Sequence, residues 1–516
     1  MSEPVLPQAF AEAVSAVLLS PAVPQPWHRL CDLCQASTDP GVVAAVCADV
    51  ERRAPREQVA GVMRATFLHA FRRDAVYLEQ AGDAVLGGPP EAEWGASFIQ
   101  FVTLMALTQD KGRSKLVELY QRARMPEIMR RIGCGLRLGK SDAPATGSGL
   151  PRVAIVSPQL SRAKQPLTFL ALVHAHLLAR AGCQVGIFSA QEQSIAEVEM
   201  RSGCAARFDD PDPDFAQWSQ LLYGQTPVHL GLRKVPLDLR LNEALEGIAA
   251  FRPDVVLFVG FMSPLMLPLF DAYPVVNLPT HSLPAIAPCD VWLAAAPDAS
   301  TQICPWPEDF SFGEAMRYPY RMIEFAVGQP MSRAELGIDG QACLLVSVGF
   351  RLHQEIHGEW AERMLGMLRM FPKVEWLLVG SDMPPALKGK HPGIKCVPAT
   401  NRLRALYELS DIVVNPPRPG GGLSIVEAMS AARPVVSHAD GDGGAKLGPA
   451  AVPDDDAFFG KLGALIGDSA MRRREGAEMR RLFDAELNLA HATPALLAAL
   501  ERARQRFAQR RAGRSV

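Results

Sequence analysis

The chain has 516 residues, of which 48% are hydrophobic and 21% charged, with a formal net charge of −2. A single core stops growing near ~250–300 residues, so this length demands several domains. The balanced charge excludes a protein drawn as a whole to nucleic acid or anionic lipid. It leaves the basic run from Arg502 to Arg514 as a solvated helix face, a frayed tail or a local patch.

Met1–Gln8 lacks the basic start and apolar run of a signal peptide. No uncharged apolar stretch reaches the ~18 residues of a membrane span. The most apolar run, Val255–Leu269, is broken by Gly260 and by prolines. These features predict a soluble, cytoplasmic chain with no membrane span and no nucleic-acid partner. Ten cysteines spread thinly through the chain predict reduced thiols rather than a disulfide framework. His28, Cys31, Cys34 and Cys47 lie close together, and the Cys31–Cys34 spacing would suit zinc. Residues three apart on a helix also share one buried face, and no second tight pair follows, so no metal site is assigned.

Residues 1–147 read as all-α. Phe10–Leu19, Val42–Arg53, Gln58–Arg72 and Ser97–Leu107 place apolar residues at helical spacing, punctuated by proline and glycine. The segment carries no chemical motif, and a docking or buttressing bundle is the expectation. Ser141–Gly149, small and Gly-rich, reads as a linker.

From Pro151 the pattern changes to alternating strands and helices. Val153–Ser157, Gln184–Ser189, Val255–Val259, Val275–Leu278 and Val291–Ala294 read as strands, with a helix at Leu167–Arg180. A second unit repeats this, with strands at Leu344–Val348, Trp376–Val379, Ile394–Val397, Ile412–Asn415 and Val435–Ser437. Its helices are Glu359–Met370, Leu403–Leu409 and Ser424–Ala432. Such alternation predicts parallel sheets covered by helices on both faces, and thus an α/β protein of two Rossmann-like domains behind an all-α domain. The expected divisions are 1–147, 148–325 and 326–516, the last including the closing helices. Ligands of such sheets bind at the carboxyl ends of the strands.

The most informative stretch runs from Asp411 through Asn415, Arg418, Pro419, Gly420, Gly421, Gly422, Ser424 and Glu427 to Arg433-Pro434-Val435-Val436. A buried strand ends in three glycines that open a helix. Glycines admit an anion close to backbone N–H groups, and the helix N-terminus adds about half a positive charge, which suits a diphosphate. Glu427, one turn into the helix, could accept hydrogen bonds from a ribose, or could be a solvated residue on a capped helix.

This string resembles the donor-binding segment of glycosyltransferases with the GT-B fold. The resemblance spans roughly residues 150–485 and is best from 395 to 440. Ala399–Leu409, with Thr400 in its loop, is similar to the element whose backbone holds the nucleobase. Ser347-Val348-Gly349-Phe350-Arg351 is similar to the strand end that sends a basic residue to the phosphates. His353 is a second candidate there, or an ordinary polar loop residue. Pro279-Thr280-His281-Ser282 resembles the turn that places a histidine against the donor sugar or its phosphate; imidazole can serve as acid or base near neutral pH. Retaining members carry two glutamates eight positions apart; Glu427 stands at the second position and Pro419 at the first. The resemblance is closer to the inverting family that includes O-linked N-acetylglucosamine transferases and bacterial cytoplasmic adhesin N-glucosyltransferases, the latter with an all-α domain ahead of the two Rossmann units. It departs at Val397–Asn401, where that family has a histidine.

The resemblance implies a metal-independent hexosyltransferase that takes a nucleotide diphosphate sugar, UDP-sugar favoured, as substrate, with no cofactor. Gly420, Gly421, Gly422 and Arg351 would hold the diphosphate, with His353, Thr400 and Ser424 lining the donor site. Glu427 would hold the ribose, and His281 would be catalytic. A protein acceptor would dock on the helical domain. The alternatives are a retaining hexosyltransferase of cell-surface polysaccharide synthesis, a nucleotide-sugar epimerase, and a degenerate, non-catalytic scaffold subunit.

Overall fold

A computed structural model describes residues 6–52, 57–88, 91–109, 113–138, 150–162, 165–193, 202–204, 215, 226–279, 287–294, 313–320, 322–323, 330–400, 402–418 and 420–513. The chain divides into two compact units. The first comprises residues 1–293, 298–316 and 497–516, and the second 294–297 and 317–496.

Among the described residues, the first unit opens with eight helices between Gln8 and Cys134. The expected all-α segment is therefore present. It shares one unit with the first sheet instead of standing apart. The contact is intimate: Gly203 donates its N–H to Thr66 Oγ1 at 2.7 Å, and a Cβ on it would press into Met63 and Phe67. His28, Cys31 and Cys34 are buried on one helix, Pro24–Ala36, and Cys47 is buried on the next, Pro40–Glu51. Cys31 meets Cys204 at 3.2 Å rather than a metal-ligand set, and among the described residues no group of three His, Cys, Asp or Glu could hold a metal ion.

The first sheet runs β3-β2-β1-β4-β5-β6-β7. Its strands are β1 (Arg152–Val156), β2 (Gln184–Ser189), β3 (Val228–Leu230), β4 (Val255–Val259), β5 (Val275–Leu278), β6 (Val291–Ala294) and β7 (Glu314–Arg317). The pairings from β3 to β6 are parallel, and β1, β4, β5 and β6 are almost wholly buried. The helix Pro166–Arg180 follows β1, its start capped by Gln165, whose side chain accepts from Thr168 N at 2.9 Å.

The chain end returns to this unit, whereas the sequence reading placed everything after residue 326 with the second domain. The basic run is the reason. Arg502, Arg506 and Arg510, four residues apart, share one face of the helix Thr493–Gly513. Arg502 and Arg506 reach Glu314. Arg510 makes a nearly buried pair with Asp290, with both N–O distances 3.1 Å, and covers the Phe270 ring. These arginines form a clamp rather than a solvated face.

The second unit holds a five-stranded parallel sheet in the order β10-β9-β8-β11-β12. Its strands are β8 (Cys343–Val348), β9 (Val374–Val379), β10 (Ile394–Val397), β11 (Ile412–Val414) and β12 (Val435–Val436). Successive residues alternate between faces, so both must be apolar. Leu345, Trp376, Leu378, Ile412 and Val436 pack with the helices Gly358–Met370 and Asp455–Gly467. Leu344, Val346, Leu377 and Val379 pack with Ile338 and Leu406 on the other face. Among the described residues, no helix is long and apolar enough to cross a membrane.

Candidate donor-binding site of the second unit

In the second sheet the chain builds outward from β8 to β9 and β10, then crosses back to add β11 and β12 on the other side. The strand order reverses between β8 and β11. Ligands of open α/β sheets sit outside the carboxyl ends of the strands at such a reversal. The loops leaving these two strands are Gly349–Arg351 and Asn415–Gly422, the segments that the sequence singled out.

The glycine loop is shaped by one arginine. The Arg418 side chain is 5% exposed. Its Nε donates to Asn415 Oδ1 at 2.8 Å, one Nη to Glu355 Oε2 at 3.1 Å, and the other to Val348 O at 3.0 Å and Ser424 Oγ at 3.4 Å. Burial pulls this guanidinium below the usual arginine range, and Glu355 opposes the fall. Gly421 has φ +90°, a left-handed conformation that side chains resist. A Cβ there would lie 2.5 Å from Arg418 Nε and 2.6 Å from Asn415 Oδ1. Gly421 precedes the helix Gly422–Ser430, and a Cβ on Gly422 would run into the Asp442 carboxylate. Asp442 in turn pairs with the buried Lys446 at 2.9 Å.

Arg351 stands beside this brace on the same carboxylate. Its Nη2 is 3.2 Å from Glu355 Oε1, and it stands beside Gly420, 3.4 Å from the place a Cβ would occupy. Its side chain is 39% exposed, so unlike Arg418 it can meet a ligand. His353 is fixed nearby, its backbone N and its Nδ1 both 3.0 Å from Ser381 Oγ. Glu427 is half-buried on the helix after the glycines, beside Tyr407 of the helix Leu403–Leu409. Burial, and then the Glu427 carboxylate, push the Tyr407 phenol well above its ordinary value, so it stays a neutral neighbour. Ser424 Oγ donates to Gly421 O at 2.8 Å and closes the first turn. Thr400 stands after β10, its Oγ1 accepting from Arg402 N at 3.1 Å.

The structure therefore brings Arg351 to the glycine loop with Gly420, Gly421, Gly422 and Ser424, while His353 is held by Ser381 and Glu427 stands one turn further along the helix, beside Tyr407. Thr400 lies two strands from β8, on the β10 side. His281, with Thr280 and Ser282, lies outside the described residues. Sequence reading missed Arg418 as a brace and Glu355 as its partner. The signal was present, since Arg418 was the one charge within the Pro-Gly string, but its partner stands 63 residues away.

Residues 344–468 match the family model for glycosyl transferases group 1. The chain is similar in fold to a mutant of the O-GlcNAc transferase of Thermobaculum terrenum, at 14% identity and a TM-score of 0.50, over 97% of this chain and 98% of that one. A looser likeness, with a TM-score of 0.44 and 14% identity, links 68% of this chain to 99% of the Anabaena protein HepE, solved in complex with UDP-glucose. No curated protein matches the chain. The chain therefore carries a glycosyl transferase group 1 domain on its second sheet, and its two Rossmann-like sheets in sequence give it the GT-B fold.

Proposed function

We propose that the chain transfers a sugar from a nucleotide diphosphate sugar, UDP-sugar favoured, to a protein side chain without a metal ion. The observation that carries this reading is the reversal between β8 and β11, where the part-exposed Arg351 stands beside a glycine loop that opens a helix. The diphosphate lies against Gly420–Gly422, its charge met by Arg351 and the helix N-terminus. The base lies over the loop of Thr400. Glu427 falls between the two and takes the ribose hydroxyls. His281 is the catalytic residue. The acceptor docks on the helical segment of the first unit.

A thermal-shift screen with UDP-, GDP-, ADP- and dTDP-sugars tests the donor half. A donor at a hundred times its dissociation constant stabilises by about 2.7 kcal/mol. A melting point unmoved by every donor at millimolar concentration would remove the reading. Transfer of labelled sugar to lysate protein, lost in His281→Ala while the melting point holds, tests the catalytic half.

A further inference from the structure

We propose that Glu355 is a positioning residue of the donor phosphate site: it holds the Arg351 guanidinium over Gly420 before any ligand arrives. The inference rests on the donor reading above and adds a residue to it.

Glu355 closes the four-residue helix Leu352–Glu355, and its carboxylate is shared between two arginines. Oε2 takes Arg418 at 3.1 Å, and Oε1 takes Arg351 at 3.2 Å through Nη2 and 3.3 Å through Nε. The two arginines differ in what else holds them. Arg418 is buried and anchored to Val348 O, Asn415 and Ser424. It fixes Glu355 as firmly as the strand end itself. Arg351 is 39% exposed, and Glu355 is the partner that orders it. A long exposed arginine samples many rotamers, and a ligand that must freeze it loses affinity. Here the order runs from strand end to Arg418, to Glu355, to Arg351. The ligand meets a guanidinium already in place, supported by a rigid second layer.

Charge alone predicts the opposite sign. A carboxylate beside a phosphate site repels the ligand, so neutralising it would tighten binding. Positioning predicts that neutralising it weakens binding, and only when Arg351 is there to be positioned.

The experiment is calorimetric titration of the full chain with UDP, GDP, ADP and dTDP. The tightest of the four is then carried into Glu355→Gln, Arg351→Ala and the double variant, each with its melting temperature. The expected result is a loss of about tenfold in Glu355→Gln, which nearly disappears in the Arg351→Ala background, because the two residues act as one unit. Unchanged or tighter binding in Glu355→Gln overturns the proposal, as does an equal loss with and without Arg351. Should Glu355→Gln not fold, Glu355→Asp replaces it, keeping a charge for Arg418 while withdrawing from Arg351, with the same outcomes. Failure of the unaltered chain to bind any of the four overturns the donor reading, and this proposal with it.

Discussion

The two sheets reverse strand order in the same way, yet the two reversals are furnished differently. In the first sheet the reversal falls between β1 and β4. Its carboxyl-end loops are packed with the protein's own groups. Glu192 is buried, donating its N–H to Pro158 O at 2.8 Å and taking Ser263 on its carboxyl. The Gln191 amide exchanges bonds with Leu160, and the fully buried Arg240 caps Ala190 O and Gln191 O. Gln100, from the helical segment, lies over them and donates to Glu192 O. In the second sheet, the equivalent place also has a buried pair, Arg418 with Glu355, but beside it stand three glycines, the part-exposed Arg351 and a half-buried glutamate. The comparison teaches that topology marks where a ligand could sit, while side chains decide whether anything can enter. Among the described residues, the groups named at the first reversal are buried in their own polar network, whereas the second also presents an exposed cation.

The largest expected effect breaks the glycine loop of the second reversal. Gly421→Val must hold φ near +90° and push a side chain into Arg418 and Asn415. Backbone strain costs ~1–3 kcal/mol and overpacking a similar amount, so stability should fall by about 3 kcal/mol or more. Chemical denaturation measures it; a fall under ~0.5 kcal/mol, ordinary for a surface change, would show that the loop does not depend on that brace.

The next effect sharpens the buried network of the first reversal. Burial pushes the Glu192 carboxyl up to about 8, against Ser263 and Arg240, which lower it. A carboxyl raised on folding contributes fully below its unfolded range near 4.5 and loses that contribution as pH climbs through about 8. Each unit of separation is worth ~1.4 kcal/mol, so roughly 3 kcal/mol is forfeited at pH 7. Glu192→Gln, neutral at every pH, should therefore raise the melting temperature at pH 8, by less at pH 6, and hardly at all at pH 4. A shift independent of pH would contradict this.

Glu427→Ala should weaken nucleotide binding by about 1.5–3 kcal/mol, the worth of a charge-assisted hydrogen bond, with the melting point little changed. The smallest effect is none: sugar transfer measured with and without EDTA should not differ, because charge at the glycine loop is met by Arg351 and a helix end.

Legibility in the sequence followed the same divide. Buried parallel strands are continuous β-branched runs. Four strands of the first sheet, Gln184–Ser189, Val255–Val259, Val275–Leu278 and Val291–Ala294, therefore lie where their runs predicted, as does Ile394–Val397 of the second. The edge strands Val228–Leu230 and Glu314–Arg317 were missed because they are short and only partly buried, and so carry no apolar run. The glycine loop announced itself through residue types that few other structures need together. The brace did not, because Arg418–Glu355 and Arg510–Asp290 join residues 63 and 220 apart, and no local spacing encodes such pairs. Glu192 was equally silent, since a lone glutamate in a loop looks solvated until three elements close over it.

The most direct test of the account titrates UDP into three forms of the full chain: unaltered, Glu427→Ala and Glu192→Gln. The account predicts that binding weakens about tenfold or more in Glu427→Ala and stays unchanged in Glu192→Gln, because the residues read as holding the nucleotide belong to the second unit. Normal affinity in Glu427→Ala together with loss in Glu192→Gln would put the nucleotide on the first sheet and contradict it.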